Sequence, residues 1–210
     1  MSEHERSPNS RPYRMRRRAE QVDQTRQRIV EATVELHGSV GPAATTIAAI
    51  ADRAGVTRLT VYRHFPDDAA LFAACSAHWN ARQQLPDPGA WSQTSDPAAR
   101  LRAGLADLYR FYRDGAGMLT RTYRDFTALP EEYQQALRDK DSLFGDVLTA
   151  PFGRADDEHR RLRAVIGHAI SFWTWRSLCL DQGLTDTEAV DAMTGMVLAV
   201  TPAPQAEPAQ

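Results

Sequence analysis

From Val22 onward the apolar positions recur with the period of a helix. Ile29, Ala32, Thr33 and Leu36 fall on one face of an amphipathic helix that stops near Gly38 to Gly41, with Pro42 beyond as a breaker. A second, shorter helix begins at Thr46, whose hydroxyl can cap it, and presents Ile47, Ile50, Ala51 and Ala54 on one side. Gly55 ends it, supplying the positive φ that a tight turn asks for. Thr57 caps a third helix with Val61 and Phe65 facing inward, and Pro66 takes a first-turn position in a fourth, through Leu71, Phe72, Ala74 and Trp79.

Leu85 to Pro97 interleaves Pro, Gly, Ser and Asp and reads as the domain seam. Beyond it the pattern is again helical. Leu101, Leu105, Leu108, Tyr109 and Tyr112 mark one face, and Gly115 and Gly117 break it. A shorter helix over Met118 to Leu129 ends at Pro130, and a longer one from Glu131 ends before Pro151. The longest should run from Asp157 to Leu180, and a last one from Thr185, where Thr185 to Glu188 fits a capping box, to near Val200. No alternating strand pattern and no repeat is visible, so the expected fold class is all-α.

Composition narrows the class further. Of 210 residues, 42% are apolar and 25% charged, as in a soluble globular chain. No stretch approaches the roughly 18 apolar residues of a membrane span, and no apolar segment follows the arginine-rich start as a secretory signal would. Cys75 and Cys179 make neither a disulfide framework nor a zinc site, so a reduced cytoplasm is the simpler reading. A net charge of −2 conceals an asymmetry: from Arg6 to Phe65 eleven arginines face five acids, a surplus of +6, leaving −8 elsewhere. A basic end on an acidic body suggests that one end meets a polyanion.

Thr46 to Phe65 is the most specific stretch. Two short helices joined by a glycine, with small Ala51 and Ala54 where they cross, are what a helix-turn-helix requires. The opening of the second helix is then free to enter a major groove, and it reads Thr57, Arg58, Leu59, Thr60. Arginine can fork onto guanine, threonine can bond a base or touch a thymine methyl, and leucine can make apolar contact with that methyl.

The run from Thr45 to Phe65, ending in Tyr62, Arg63, His64 and Phe65, resembles the DNA-binding segment of TetR-family transcriptional regulators. The close resemblance covers about Arg26 to Leu71, and the rest of the chain matches only in length and helix count. It implies that Arg58, Leu59 and Thr60 face base edges, and that Thr46, Thr57, Tyr62 and His64 bond phosphates, which fixes register without reading sequence. Two positions depart from the family pattern: Asp68 stands where a lysine facing the backbone is usual, and His37 where an aromatic core residue is usual. The resulting division is a disordered arginine-rich arm over 1–19 and a helix-turn-helix domain over 20–66. An effector-binding and dimerisation domain follows over 67–201, with 67–84 as connecting helix, then a flexible tail over 202–210. Arg16, Arg17 and Arg18 in the arm either lie in the adjacent minor groove or face solvent.

One recognition helix reads few base pairs, so a homodimer on two half-sites is expected. The long helix carries apolar residues nearly all round, which calls for a partner chain. Trp175, Cys179, Val190, Met193 and Val197 are the candidate interface. Tyr109, Tyr112, Met118, Tyr123, Phe126 and Trp173 form an aromatic set suited to an apolar or aromatic effector, though aromatics at helical spacing are more often plain core. Arg113, Arg121 and Arg124 either pair with an acidic ligand or face water. An enzyme is not expected: there is no Glu-x-x-His, no Gly-x-Ser-x-Gly, no phosphate-cradling glycine loop, no His-Glu-x-x-His and no ligand spacing among the six histidines. Neither metal nor cofactor is expected, and no membrane. The expected function is a dimeric repressor of a palindromic operator, released by a small molecule; the alternatives are a sequence-tolerant DNA-binding protein without effector, and a helical enzyme.

Overall fold

A computed structural model of the chain describes residues 10–153 and 157–200, and every regular element among them is helical. The chain divides into two compact units, one ending at Trp79 and one starting at Asn80.

The first unit holds α1 (Ser10–Ser39), α2 (Ile47–Ala54), α3 (Arg58–His64) and α4 (Asp68–Asn80), with a 3-10 turn at Pro42–Ala44. Its core joins Ile29, Val30 and Ala32 of α1 to Ile50, Ala51 and Ala54 of α2, Val61 of α3, Phe65 after it, and Leu71 and Cys75 of α4. Burial of each larger aliphatic or aromatic member contributes about 1.5–3 kcal/mol. It also pushes the Cys75 thiol up to about 12, so that sulfur is protonated filler near the Val30 carbonyl. His37 is buried against the Phe72 ring at 5.1 Å.

Three expectations change here. Residues 10–19, read as a disordered arm, are the first turns of α1. Pro12 sits where a helix has no need of its N–H, an Arg16–Glu20 pair bridges one turn, and a helix already nucleated by packing around Ile29 extends cheaply. The remainder of that arm, 1–9, and the tail from 201 lie outside the described residues. Pro66 precedes the fourth helix instead of opening it, because the Asp67 carboxylate takes the cap by accepting from the Ala70 N–H at 2.7 Å. Finally, α4 belongs with the first unit through Leu71 and Cys75, so the division falls at 79/80 and not at 66/67.

In the second unit α5 (Pro88–Ser92) and α6 (Pro97–Asp114) are followed by α7 (Ala116–Arg124), α8 (Glu131–Thr149), α9 (Asp157–Ala169), α10 (Phe172–Arg176) and α11 (Asp186–Ala199). The centre is α6, with Leu101, Leu105, Leu108 and Tyr109 fully buried, packed against α5, α8, α10 and α11. Gly104 lets α8 approach: a Cβ there would stand 2.6 Å from a methyl of buried Leu148.

The proposed seam is not slack. Trp91 of α5 is buried and donates its indole N–H to Asp107, which also accepts from the Asp87 N–H and pairs with Arg110. Arg100 donates to the carbonyls of Thr94, Ser92 and Val147. Proline and glycine mark the turns, but α6 supplies the charged groups that hold them.

The single long helix expected over 157–180 is broken at Ile170–Ser171. Ser171 caps a new helix by accepting from the Trp173 N–H at 3.2 Å. Carbonyls freed at the break are met from α6: the Tyr109 hydroxyl donates to Ala169 at 2.8 Å and the Tyr112 hydroxyl to Ile170 at 2.7 Å. A π-helical turn over Ser177–Asp181 and Gly183 at φ +78 then lead to α11, which opens with the capping box of Thr185 and Glu188.

Candidate nucleic-acid interface

Thr46 accepts from the Ala49 N–H at 3.1 Å and so caps α2, while its own hydroxyl hydrogen remains available. Gly55, at φ +64 and ψ 41, closes the helix: its N–H bonds the Asp52 carbonyl and the Val56 N–H bonds that of Ala51. Thr57 repeats the cap on α3, accepting from the Thr60 N–H at 3.2 Å.

With Val61 and Phe65 buried, α3 is oriented about its own axis. Arg58, Leu59, Tyr62 and Arg63 occupy the opposite face and are exposed, Leu59 by 60% and Tyr62 by 52%. The side chains of Arg58, Tyr62 and Arg63 make no hydrogen bond or ion pair among the described residues. A large apolar side chain and an aromatic one held in water between two unpaired arginines form a surface the fold itself does not use.

Thr60 differs from its base-facing expectation. It is half-buried, and its hydroxyl lies 2.9 Å from that of Thr57, so the two threonines bond each other. His64 is half-buried at the end of α3, and its carbonyl accepts from Arg26 of α1 at 3.0 Å. The same guanidinium lies 4.1 Å from the centre of the Phe65 ring, so Arg26 holds the C-terminal end of α3 against α1. Arg53 is paired with Glu35 at 2.5 Å and Arg28 reaches toward the Gly55 turn. Arg16, Arg17 and Arg18 are all exposed on α1.

Sequence reasoning misses two members of this surface, Arg26 and Arg63. For Arg63 a signal is present, four residues after Leu59 on one helical face. Arg26 has no local signal, since its partner lies 38 residues away.

The aromatic set of the second unit is dispersed. Tyr109 and Tyr112 are core, both hydroxyls being committed at the α9–α10 break. Trp173, expected at an effector pocket, is instead 44% exposed, because Ser171 restarts the helix and turns it outward, with the Arg176 guanidinium over its ring. Met118 and Phe126 are half-buried, the latter under Arg138. What converges is a different group: Tyr123 stacks on Phe172 at 5.1 Å, and Tyr112 meets the same ring edge-on at 5.5 Å. Burial, then the charge of Asp141, raises the pKa of Tyr123; burial lowers that of Lys140 and raises that of Asp141. Asp141 is nonetheless open to water and Lys140 only half-buried.

The three arginines nearby are already engaged: Arg113 with Asp186, Arg121 with the Gly117 carbonyl, Arg124 with Asp125.

Four of the five interface candidates point inward. Trp175, Val190, Met193 and Val197 are at most 9% exposed within this single chain, Val197 being wholly buried. Trp175 donates to Asp186 at 3.1 Å. Cys179 is half-buried beside the same carboxylate, its thiol pushed up to about 11 by burial and by that charge. On α11 the opposite side, Ala192, Gly195, Met196 and Ala199, is exposed, as are Ala164 and Gly167 on the adjacent α9.

These features define a class, a helix-turn-helix DNA-binding domain joined to a larger helical domain. Residues 29–75 match the model of bacterial regulatory proteins of the tetR family. The HTH-type transcriptional regulator TtgR of Pseudomonas putida is 43% identical over 60 residues, 29% of this chain and 29% of that protein. The matched segment thus spans under a third of the relative's length. Among solved structures, the TetR-family regulator PfmR of Thermus thermophilus aligns with a TM-score of 0.57 at 16% identity, covering 81% of this chain and 97% of that one. NalD of Pseudomonas aeruginosa, the secondary repressor of the MexAB-OprM multidrug efflux pump, aligns with a TM-score of 0.54 at 21% identity, covering 86% and 97%. At such identities the structures speak for fold alone. Residues 29–75 are thus similar to the corresponding segment of tetR-family regulatory proteins, and the chain shares the fold of these solved regulators.

Proposed function

We propose that the chain is a cytoplasmic, dimeric repressor that binds a palindromic operator and is released by a small molecule. The observation that carries this reading is the outward face of α3, where Arg58, Leu59, Tyr62 and Arg63 spend none of their bonding capacity on the fold. Arg58 and Leu59 read base edges from the first turn. Tyr62 and Arg63, one turn on, bond phosphates together with Thr46 at the start of α2, and Thr57, Thr60 and His64 hold the helix in register.

Dimerisation uses the exposed small-residue face of α9 and α11. Apart from the backbone of their own helices, Gly167 and Gly195 have nothing within 4 Å of where a Cβ would stand, so a second copy can approach closely there. Two α3 helices then meet half-sites roughly 34–36 Å apart. The effector binds beside the stacked Tyr123 and Phe172, near the Asp141 carboxylate, and shifts the spacing by binding one arrangement better than the other.

Selection of bound sequences from random duplex DNA tests this. An inverted repeat should emerge, and Arg58→Ala should cost about 1–3 kcal/mol on it and relax preference at one base pair per half-site. Equal losses on the selected and a random duplex would mean that Arg58 touches phosphate, and failure to enrich any sequence would leave only sequence-tolerant binding.

A further inference from the structure

The arginine-rich segment before the helix-turn-helix poses a steric question. An α-helix with its side chains is about 10–12 Å across, whereas the minor groove of B-DNA is about 6 Å wide. Residues 10–39 form one helix, so Arg16, Arg17 and Arg18 stand on a cylinder too wide for that groove. The helix is anchored from Ile29 by burial and at Arg26 by its grip on His64 and Phe65, beside the end of α3. At about 1.5 Å per residue, the three arginines project about 16–20 Å beyond Ile29. The seven residues of α3 cover only about 10 Å.

We propose that the extension of α1 is a rigid strut that binds backbone phosphates of the duplex outside the stretch read by α3. The inference rests on the DNA-binding reading above and adds to it a second, sequence-independent contact. Charge complementarity selects the occupant: this end of the chain holds the basic surplus, and the three arginines are exposed. Successive helical residues are 100° apart, so three in a row sweep about 200° of the surface and some face the backbone whatever the rotation. Not all three count fully. Arg16 is paired with Glu20 at 3.1 Å and Arg17 leans over the Tyr13 ring at 5.8 Å, which leaves Arg18 the freest. One to two phosphate contacts are the expected yield.

The dependence of affinity on salt counts such contacts, at about 0.9 in the logarithmic slope for each. Full-length chain with Arg16, Arg17 and Arg18 all changed to Ala should lose about 1–2 from the slope and lose affinity by the same factor on a selected and a random duplex. Gln21→Pro keeps the arginines but breaks the helix between them and the anchored part. A strut predicts the same slope loss from this variant, with the thermal unfolding of the remainder unchanged. A wild-type slope in Gln21→Pro would overturn the strut in favour of a flexible arm, as would a gain in affinity when A-tracts flank the site. An unchanged slope in the triple variant would overturn the phosphate contact, and binding of that segment to phosphatidylglycerol vesicles would reassign it to an anionic membrane surface. If the unaltered chain bound no duplex at all, the DNA reading itself would fall.

Discussion

The two units use their side chains in opposite ways. In the first, α3 buries one narrow edge, Val61 with Phe65 just beyond, and leaves the side chains of Arg58, Leu59, Tyr62 and Arg63 in water and unbonded. In the second, residues with far more chemical capacity are consumed by the fold: the hydroxyls of Tyr109 and Tyr112 close a helix break, the Trp175 indole binds Asp186, and Arg100 and Arg110 hold a loop. The contrast teaches where to look for function. A polar or aromatic side chain in a core with its bonds satisfied is structural, while one held in water without an internal partner is available to something else.

The contrast is sharpest for paired leucines. Leu105→Ala should cost about 2–5 kcal/mol in chemical unfolding, through lost burial and the cavity left behind, since Leu105 is fully buried on α6. Leu59→Ala, at 60% exposure, should alter stability by no more than about 0.5 kcal/mol while weakening operator binding. A large stability loss from Leu59→Ala would break the comparison.

Next in size is Gly195→Arg. The site is open within one chain, so the helix should hold or gain helicity, yet sedimentation should find a monomer and operator affinity should drop on the order of 100-fold as two-site binding is lost. A variant that remains dimeric would remove α11 from the interface.

Tyr112→Phe should cost about 1–3 kcal/mol, because it strands the buried Ile170 carbonyl at the α9–α10 break. A cost near zero in thermal unfolding would show that water or a neighbour replaces the hydroxyl.

The smallest effect is a slope with pH. Burial raises the phenols of Tyr109, Tyr112 and Tyr123 above their ordinary value of 10.0. Above that pH the unfolded chain has released protons that the folded chain still holds, so stability falls as pH rises. Denaturant titrations from about pH 9 to about pH 11, bracketing the ordinary tyrosine value, should show the fall, and Tyr112→Phe should flatten it.

Legibility followed the same division. The helix-turn-helix could be read residue by residue because its determinants are local: caps at Thr46 and Thr57, a left-handed Gly55, small Ala51 and Ala54 at the crossing. What the local pattern did not show there is that the Thr60 hydroxyl bonds that of Thr57, three residues away. In the second unit the helical period identifies apolar faces correctly as apolar, but a helix with two such faces does not say which meets its own chain. That is why Val190, Met193 and Val197 read as outward when α6 covers them.

The sequence alone determined the all-helical class, most helix limits and the chemistry at the opening of α3, because hydrogen bonds within three or four residues and a 3.6-residue period decide those. Tertiary structure decided the rest: the break at Ile170, met by tyrosines 58 and 60 residues earlier in the chain, the turning out of Trp173, and the seating of α3 by Arg26. Each depends on groups brought together by packing, and no local pattern encodes the position of a partner so far along the chain.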